Sequence, residues 1–190
     1  ERKKIIRGER DITIRLIDLF DKYDLPATWA IVAHLLETDC RWENGIVHSD
    51  WPRPVAINEK GDWFWQHPAA GDTDDHLWFD KDALITKIRN AKPKHEIASH
   101  SYAHLLYGDN EFSDAAVEYD LKSAKAIHEK NGLEFSSFVF PRNQVGHTEL
   151  LKKYGLVCYR KNHLSVDRGQ GNLWKRISHI LGYYYPGAHT

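Results

Sequence analysis

The stretch 95-HEIASHSYAH-104 decides how this chain folds. Its first half, "HEIAS", follows Pro93 and reads as a short strand. Its second half, "HSYAH", is a polar loop with histidines at 100 and 104. A strand running straight into such a loop is the arrangement at the carboxyl ends of parallel strands in α/β proteins, where active groups gather. Histidines four apart can present two imidazoles to one cation from a single helical turn or a tight loop. His95 does not belong with them. It precedes His100 by an odd offset, which in a strand sends the two side chains to opposite faces. The zinc-protease spacing HExxH is not met either, because "HEIASH" has one residue too many between its histidines, and Glu96 gains no base role from it. Twelve histidines in one chain produce some four-apart pairs by accident. The strand-end position is what raises His100 and His104 to candidate ligands, and a third ligand is still required, since two imidazoles rarely retain zinc unaided.

Outward from this stretch the pattern alternates. "DITIRLIDLFDKYD" (11–24) places Ile12, Leu16, Leu19 and Phe20 at helical spacing, and Pro26 stops the helix. "ATWAIVAHLL" (27–36) is an apolar run rich in β-formers, read as a buried strand. After Asp80, "KDALITKIRNAK" reads as a helix ended by Pro93. "SDAAVEYDLKSAKAIHEKNG" (113–132) is the clearest helix: Ser113 suits the N-cap, Glu118 and Lys122 pair at i,i+4, and Gly132 suits the C-terminal cap. "FSSFVFP" is the next strand, "HTELLKKYG" a short helix, "LVCYRKN" another strand and "WKRISHILGYYY" a last helix. Alternating helices and strands predict an α/β fold with a parallel sheet, open or closed into a barrel. "PRNQ" after "FSSFVF" then sits at a strand end equivalent to that of "HSYAH".

Bulk properties exclude several classes. The 190 residues carry 26 basic and 27 acidic side chains, which argues against a nucleic-acid binder driven by a basic surface. No apolar run approaches the roughly 20 residues needed to span a bilayer. Cys40 and Cys158 form no CxxC pair, so neither a disulfide framework nor a thiolate zinc site is expected. The compartment stays open. The chain has no methionine and begins at Glu1, so it reads as a single partial domain, incomplete at both ends. Residues 41–80 break the alternation. They hold five of the seven tryptophans and three of the seven prolines, as an aromatic-rich insertion of the length that is often functional.

"EIASHSYAH" resembles the second conserved block of the polysaccharide deacetylases, the NodB-like carbohydrate esterases, written H-[ST]-x-x-H after a strand. "LIDLFDKYDLPATWAIVAHLL" is similar to their helix and "ATFF"-type strand, "SFVFPRNQ" to their third block, and "TELLKKYGLVCYR" to the helix and strand that follow. The blocks run in order from about Asp11 to Arg160. The resemblance implies a deformed (β/α) barrel and a divalent metal, most often Zn2+ with Co2+, Ni2+ or Mn2+ as substitutes, held by one aspartate and two histidines. His100 and His104 match the histidines, and Ser101 matches a hydroxyl whose role is to brace the loop. In that family water on the metal attacks an acetamide carbonyl with an aspartate as base, so the implied partner is an acetylated glycan or glycolipid. Three departures stand out. The acidic "TFDD"-like block that precedes the first helix has no counterpart between Glu1 and Asp11, so the third ligand and the base are expected upstream, and the 190-residue chain alone is expected to be nearly inactive. The family's arginine position, two before the proline, is Val139, and Arg142 follows Pro141 instead. The late histidine block is not found convincingly and is expected to lie outside this chain, His179 reading as a surface or packing residue.

Arg142 is carried as a catalytic candidate, Asn143 and His147 as substrate-binding candidates. Asn143 and backbone N–H groups near Pro141 could stabilise an oxyanion. His147 could reach the site or cap the "TELLKKYG" helix. Trp42, Trp51, Trp63, Trp65 and Trp78 read mostly as anchors for the long insertion, with one or two near the cleft, and "GDTDDH" as a solvated acidic turn. Two other readings differ in class: a barrel that binds carbohydrate without catalysis, and a metal hydrolase of a non-sugar amide such as a cyclic imide.

Overall fold

Helix α1 (Arg2–Tyr23) opens the chain, reaching back beyond the periodic stretch because no proline interrupts it and a lone interior glycine, Gly8, costs only about 1 kcal/mol. The computed structural model describes residues 2–37, 42–43, 46–49, 79–80, 84–108 and 111–161. By chain contacts the molecule divides into Glu1–Arg160 and Lys161–Thr190, and every element below belongs to the first unit. The helix read in "WKRISHILGYYY", the "GDTDDH" turn, Cys40, and Trp51, Trp63, Trp65 and Trp78 lie outside the described residues.

Strand β1 (Thr28–Ile31), strand β2 (Trp42–Glu43), strand β3 (Ile46–Val47), helix α2 (Leu84–Asn90), strand β4 (Glu96–Ser99), helix α3 (Asp114–Lys130), strand β5 (Ser137–Val139), helix α4 (Thr148–Lys153) and strand β6 (Cys158–Arg160) follow in order. β1, β4, β5 and β6 form one four-stranded sheet in that spatial order, all pairs parallel. β2 and β3 pair as a separate antiparallel ribbon within the insertion. The expected α/β alternation with a parallel sheet is therefore present. Register runs Ile31 to Ser99, Ser99 to Phe138 and Phe138 to Tyr159, so the four strands end level with one another.

Two expectations need correction. The 27–36 run is strand only over Thr28–Ile31; Ala33–Leu36 is a 3-10 turn. Past Ile31 the backbone leaves the ladder, because Ala33 N–H and His34 N–H donate to the carbonyls of Ser101 and Tyr102 (both 2.9 Å). β1 is also half-exposed rather than buried, with Thr28 and Ala30 open to solvent. The apolar stripe of α1 is rotated from the one the spacing proposed. Ile17 is the buried residue (1% exposed), whereas Ile12 and Leu19 are 64% and 46% exposed. Polar ties lie on the same side: Asp18 pairs with Lys87 of α2 at 2.6 Å, and Asp21 accepts from the N–H of Lys92, just past α2, at 3.2 Å. Phe20 rests near Trp29 and His95.

Local signals explain the helix limits. Asp80 accepts from Leu84 N–H (2.8 Å) and Ile85 N–H (2.9 Å) at the start of α2. Ser113 caps α3, accepting from Ala116 N–H at 3.3 Å. Gly132 follows α3 in the left-handed region (φ 63°), and Leu133 N–H reaches back to His128 O at 2.9 Å, closing the helix with orphan carbonyls satisfied. Glu118 does not serve Lys122 as its main partner. It bonds Lys153 of α4 and the Tyr154 hydroxyl (2.9 Å), a tie between neighbouring helices. Buried Val117 and Leu121 of α3 pack with Leu105, Tyr107, Phe112, Phe138 and Phe140. Ala124 and Ile127 of the same helix pack with Ala33, Leu36, Phe79 and Tyr102. α3 thus presses both apolar clusters against the loop that follows β4. Among the described residues no helix is long and apolar enough to cross a membrane.

Candidate metal centre

β4 ends at Ser99, and the next residue is His100. Its N–H donates to Ile31 O at 2.8 Å, and its ring Nδ1 lies 2.7 Å from Val139 O. The residue is thus held between β1 and β5. A carbonyl oxygen has no proton to give, so Nδ1 carries the hydrogen and Nε2 is left as a lone pair. The His104 ring stands 5.0 Å from the His100 ring, centroid to centroid, at 71°. Ser101 braces the turn between them: its Oγ accepts from Leu105 N–H at 2.8 Å.

Burial lowers both imidazole pKa values. For His100, desolvation dominates and the hydrogen bond to Val139 pulls the other way. For His104, desolvation comes first, followed by the charges of His100 and Arg142. Both rings are therefore neutral at pH 7, the state in which imidazole ligates. A ring whose other nitrogen is pinned by a carbonyl is the orientation metal-bound histidines adopt. The pair fits two positions on a divalent cation such as zinc. Among the described residues no group of three or more His, Cys, Asp or Glu side chains is gathered to complete the set.

The second loop, after β5, carries the remaining candidates. Arg142 is exposed on the 3-10 turn Pro141–Asn143, and its charge is one of the causes that lower the His104 pKa. Asn143 is exposed, and its N–H bonds Phe140 O at 2.9 Å. His147 stands at the N-cap position of α4 and makes no side-chain cap bond. Its Nδ1 lies 2.6 Å from Asp114 Oδ1, at the start of α3. His95 is buried at the other end of β4, accepting from Ala27 N–H at 3.0 Å. Glu96 bonds Thr28 and Ser137. Tyr102 is buried and donates to Glu37 at 3.3 Å.

Backbone strain concentrates on these two loops. Ser101, His104, Arg142, Asn143 and His147 all have φ between 50° and 71°, a region that costs residues with a Cβ about 1 kcal/mol or more each.

Two features went unread in the sequence. Asp120 of α3 is fully buried, and its carboxylate accepts from Tyr102 N–H (2.9 Å), Ala103 N–H (3.0 Å) and the Tyr107 hydroxyl (2.7 Å). Burial pushes its pKa up while those donors and the Ser101 hydroxyl pull it back. Burial and the Asp120 charge raise the Tyr107 phenol well above its ordinary value, so it remains a donor. The available signal was a carboxylate set among the apolar residues 117, 121, 124 and 127. The other feature is His34, whose Nε2 lies 3.0 Å from His48 Nε2, with Tyr102 and Phe79 stacked around it. That meeting joins the turn after β1 to the insertion, and no local pattern announces it.

No protein-family model, no curated protein and no solved structure matches this chain.

Proposed function

We propose that the chain belongs to a metal-dependent hydrolase that removes N-acetyl, or O-acetyl, groups from a glycan or glycolipid precursor, built as a (β/α) barrel of the NodB-like type. The observation that carries the reading is the His100 ring pinned through Nδ1–H to Val139 O, 2.7 Å away, with His104 facing it. The strand order, consecutive with no reversal, supports the barrel, because doubly wound sheets reverse order at their binding crevice.

Bound between these rings, a divalent cation would supply Lewis acidity toward an acyl carbonyl. The protein's part is orientation and charge. Val139 O fixes the tautomer of His100, and Ser101 holds the turn that sets His104 beside it. The Arg142 charge lowers the His104 pKa, and a guanidinium on this loop would favour negative charge developing at an acyl oxygen. Asn143 is exposed on the same loop.

The test is Co2+ uptake by the protein expressed from the full reading frame, where the third ligand is expected, read from visible absorption and titration calorimetry. One ion per chain is expected, and His100→Ala and His104→Ala are each expected to weaken it at least 100-fold while the fold is retained. Uptake that survives both substitutions overturns the reading. Acetate release from N-acetylglucosamine oligomers, compared with ring opening of a cyclic imide and measured on the full reading frame, separates the sugar substrate from a non-sugar amide.

A further inference from the structure

Tyr102 and Ala103 are the two middle residues of the H-S-Y-A-H turn, and their successive N–H groups converge on one carboxylate, that of Asp120. Successive N–H groups in an extended chain point apart. They converge here because Ser101, just before them, is left-handed (φ 71°), making the concave backbone nest that binds anions. The anion in this nest is part of the protein. It is presented by the middle of a 17-residue helix and sealed from solvent. Its oxygen Oδ2 also takes the Tyr107 hydroxyl at 2.7 Å. The loop from 101 to 107 therefore wraps around Asp120, with His100 leaving one end of the wrapped segment and His104 within it. A fully buried carboxylate is an expensive way to fill an apolar stripe. Leucine would fill the volume but could not gather N–H groups.

We propose that Asp120 is the positioning residue of the His100–His104 pair. Its carboxylate sets the curvature of the turn, and through it the angle at which the two rings face one cation. It touches neither substrate nor metal. The inference rests on the metal reading above, and its test separates the two.

The decisive comparison sets Asp120→Asn against Leu121→Ala, a neighbouring cavity substitution on the same helix, at matched loss of thermal midpoint. Asp120→Asn turns an amide donor toward backbone donors and opens the turn. Co2+ affinity is expected to fall about 10- to 100-fold, with Leu121→Ala within about two-fold of the unmutated protein. Tyr107→Phe removes one donor and leaves the nest, so it should weaken affinity by less, and it carries the test if Asp120→Asn does not fold. A second readout needs no metal. Long-range 15N spectra of the imidazoles should show His100 as the Nδ1–H tautomer in the unmutated protein and in Leu121→Ala, and as a tautomer mixture in Asp120→Asn. Affinity and tautomer unchanged in a folded Asp120→Asn, or in Tyr107→Phe where that variant carries the test, overturn the proposal and leave the metal reading standing. Absence of Co2+ uptake by the unmutated protein of the full reading frame overturns the metal reading, and the tautomer spectra then decide whether Asp120 holds the rings.

Discussion

Glu96 ties three strands together at the end of the sheet opposite the histidines, and its removal should cost stability without touching the site. Its carboxylate accepts from Thr28 Oγ1 on β1 at 2.6 Å and from Ser137 Oγ on β5 at 2.5 Å. Ser137 is 7% exposed, but Glu96 and Thr28 face solvent. A hydrogen bond to a shielded charged group is worth about 1.5–3 kcal/mol. Solvent around the carboxylate reduces each to about 0.5–1 kcal/mol, so Glu96→Gln should lose about 1–2 kcal/mol in all. With a urea dependence of about 1.5 kcal/mol per molar, the midpoint falls by roughly 1 M. The sign of the pH dependence follows from the hydrogen bonds of Ser137, then Thr28, which hold the Glu96 pKa below 4.5. The contribution is therefore fully present above pH 4.5 and is lost as pH falls through the lower folded value. Urea curves for the two proteins should be furthest apart at neutral pH and draw together as pH falls below 4.5. Co2+ affinity should be unchanged throughout. A gap that stays constant into acid, or a loss of Co2+ binding in Glu96→Gln, would refute the separation of a structural end from a chemical end.

Two further outcomes are expected. His100, His104 and His128 all have pKa values lowered from 6.5 by burial, so metal-free protein should lose stability as pH drops below 6.5. The limit is about 1.4 kcal/mol per pH unit for each ring, and His128→Leu should shallow the slope in chemical denaturation series. Arg142→Ala should raise the His104 pKa, which the Arg142 charge helps to lower; titration of the His104 ring Hε1 resonance reads it, and an unmoved value would count against that influence.

The alternation of elements was legible because each boundary has a local cause: Ser113 capping α3, Gly132 and Gly155 taking positive φ after α3 and α4. The rotation of α1 was not legible. Its apolar residues lie on more than one side, and only tertiary packing shows that Ile17 is buried while Ile12, Ile14 and Leu19 are exposed. The strand at 28–31 was read too long because apolar composition says nothing of where backbone N–H groups find partners, and those of Ala33 and His34 find them on the loop after β4. At the site, the histidine pair stood out by spacing and strand-end position. What orients it did not, because the partner of His100 is a main-chain oxygen, Val139 O, which no side-chain motif records. Val139 stands where the resemblance places an arginine, and its carbonyl oxygen meets the ring.

The two ends of the sheet are built for different tasks. At the amino end, Glu96, Thr28 and Ser137 close a short polar clasp, and His95 packs with Trp29 at 5.8 Å. At the carboxyl end, five residues with side chains sit in left-handed backbone across two adjacent loops. Such conformations persist only where surrounding structure over-determines them. Here the restraint is visible for the first loop: buried Leu105, Leu106 and Tyr107 anchor it in the larger apolar cluster, and the Asp120 carboxylate holds its middle. A turn needed only to connect β4 to α3 could relax into ordinary φ values, or use glycine at positions 101 and 104. Keeping histidine and serine there spends several kcal/mol of backbone strain on the direction of two side chains. That expense is intelligible if ring direction at His100 and His104 is what the fold is organised to deliver.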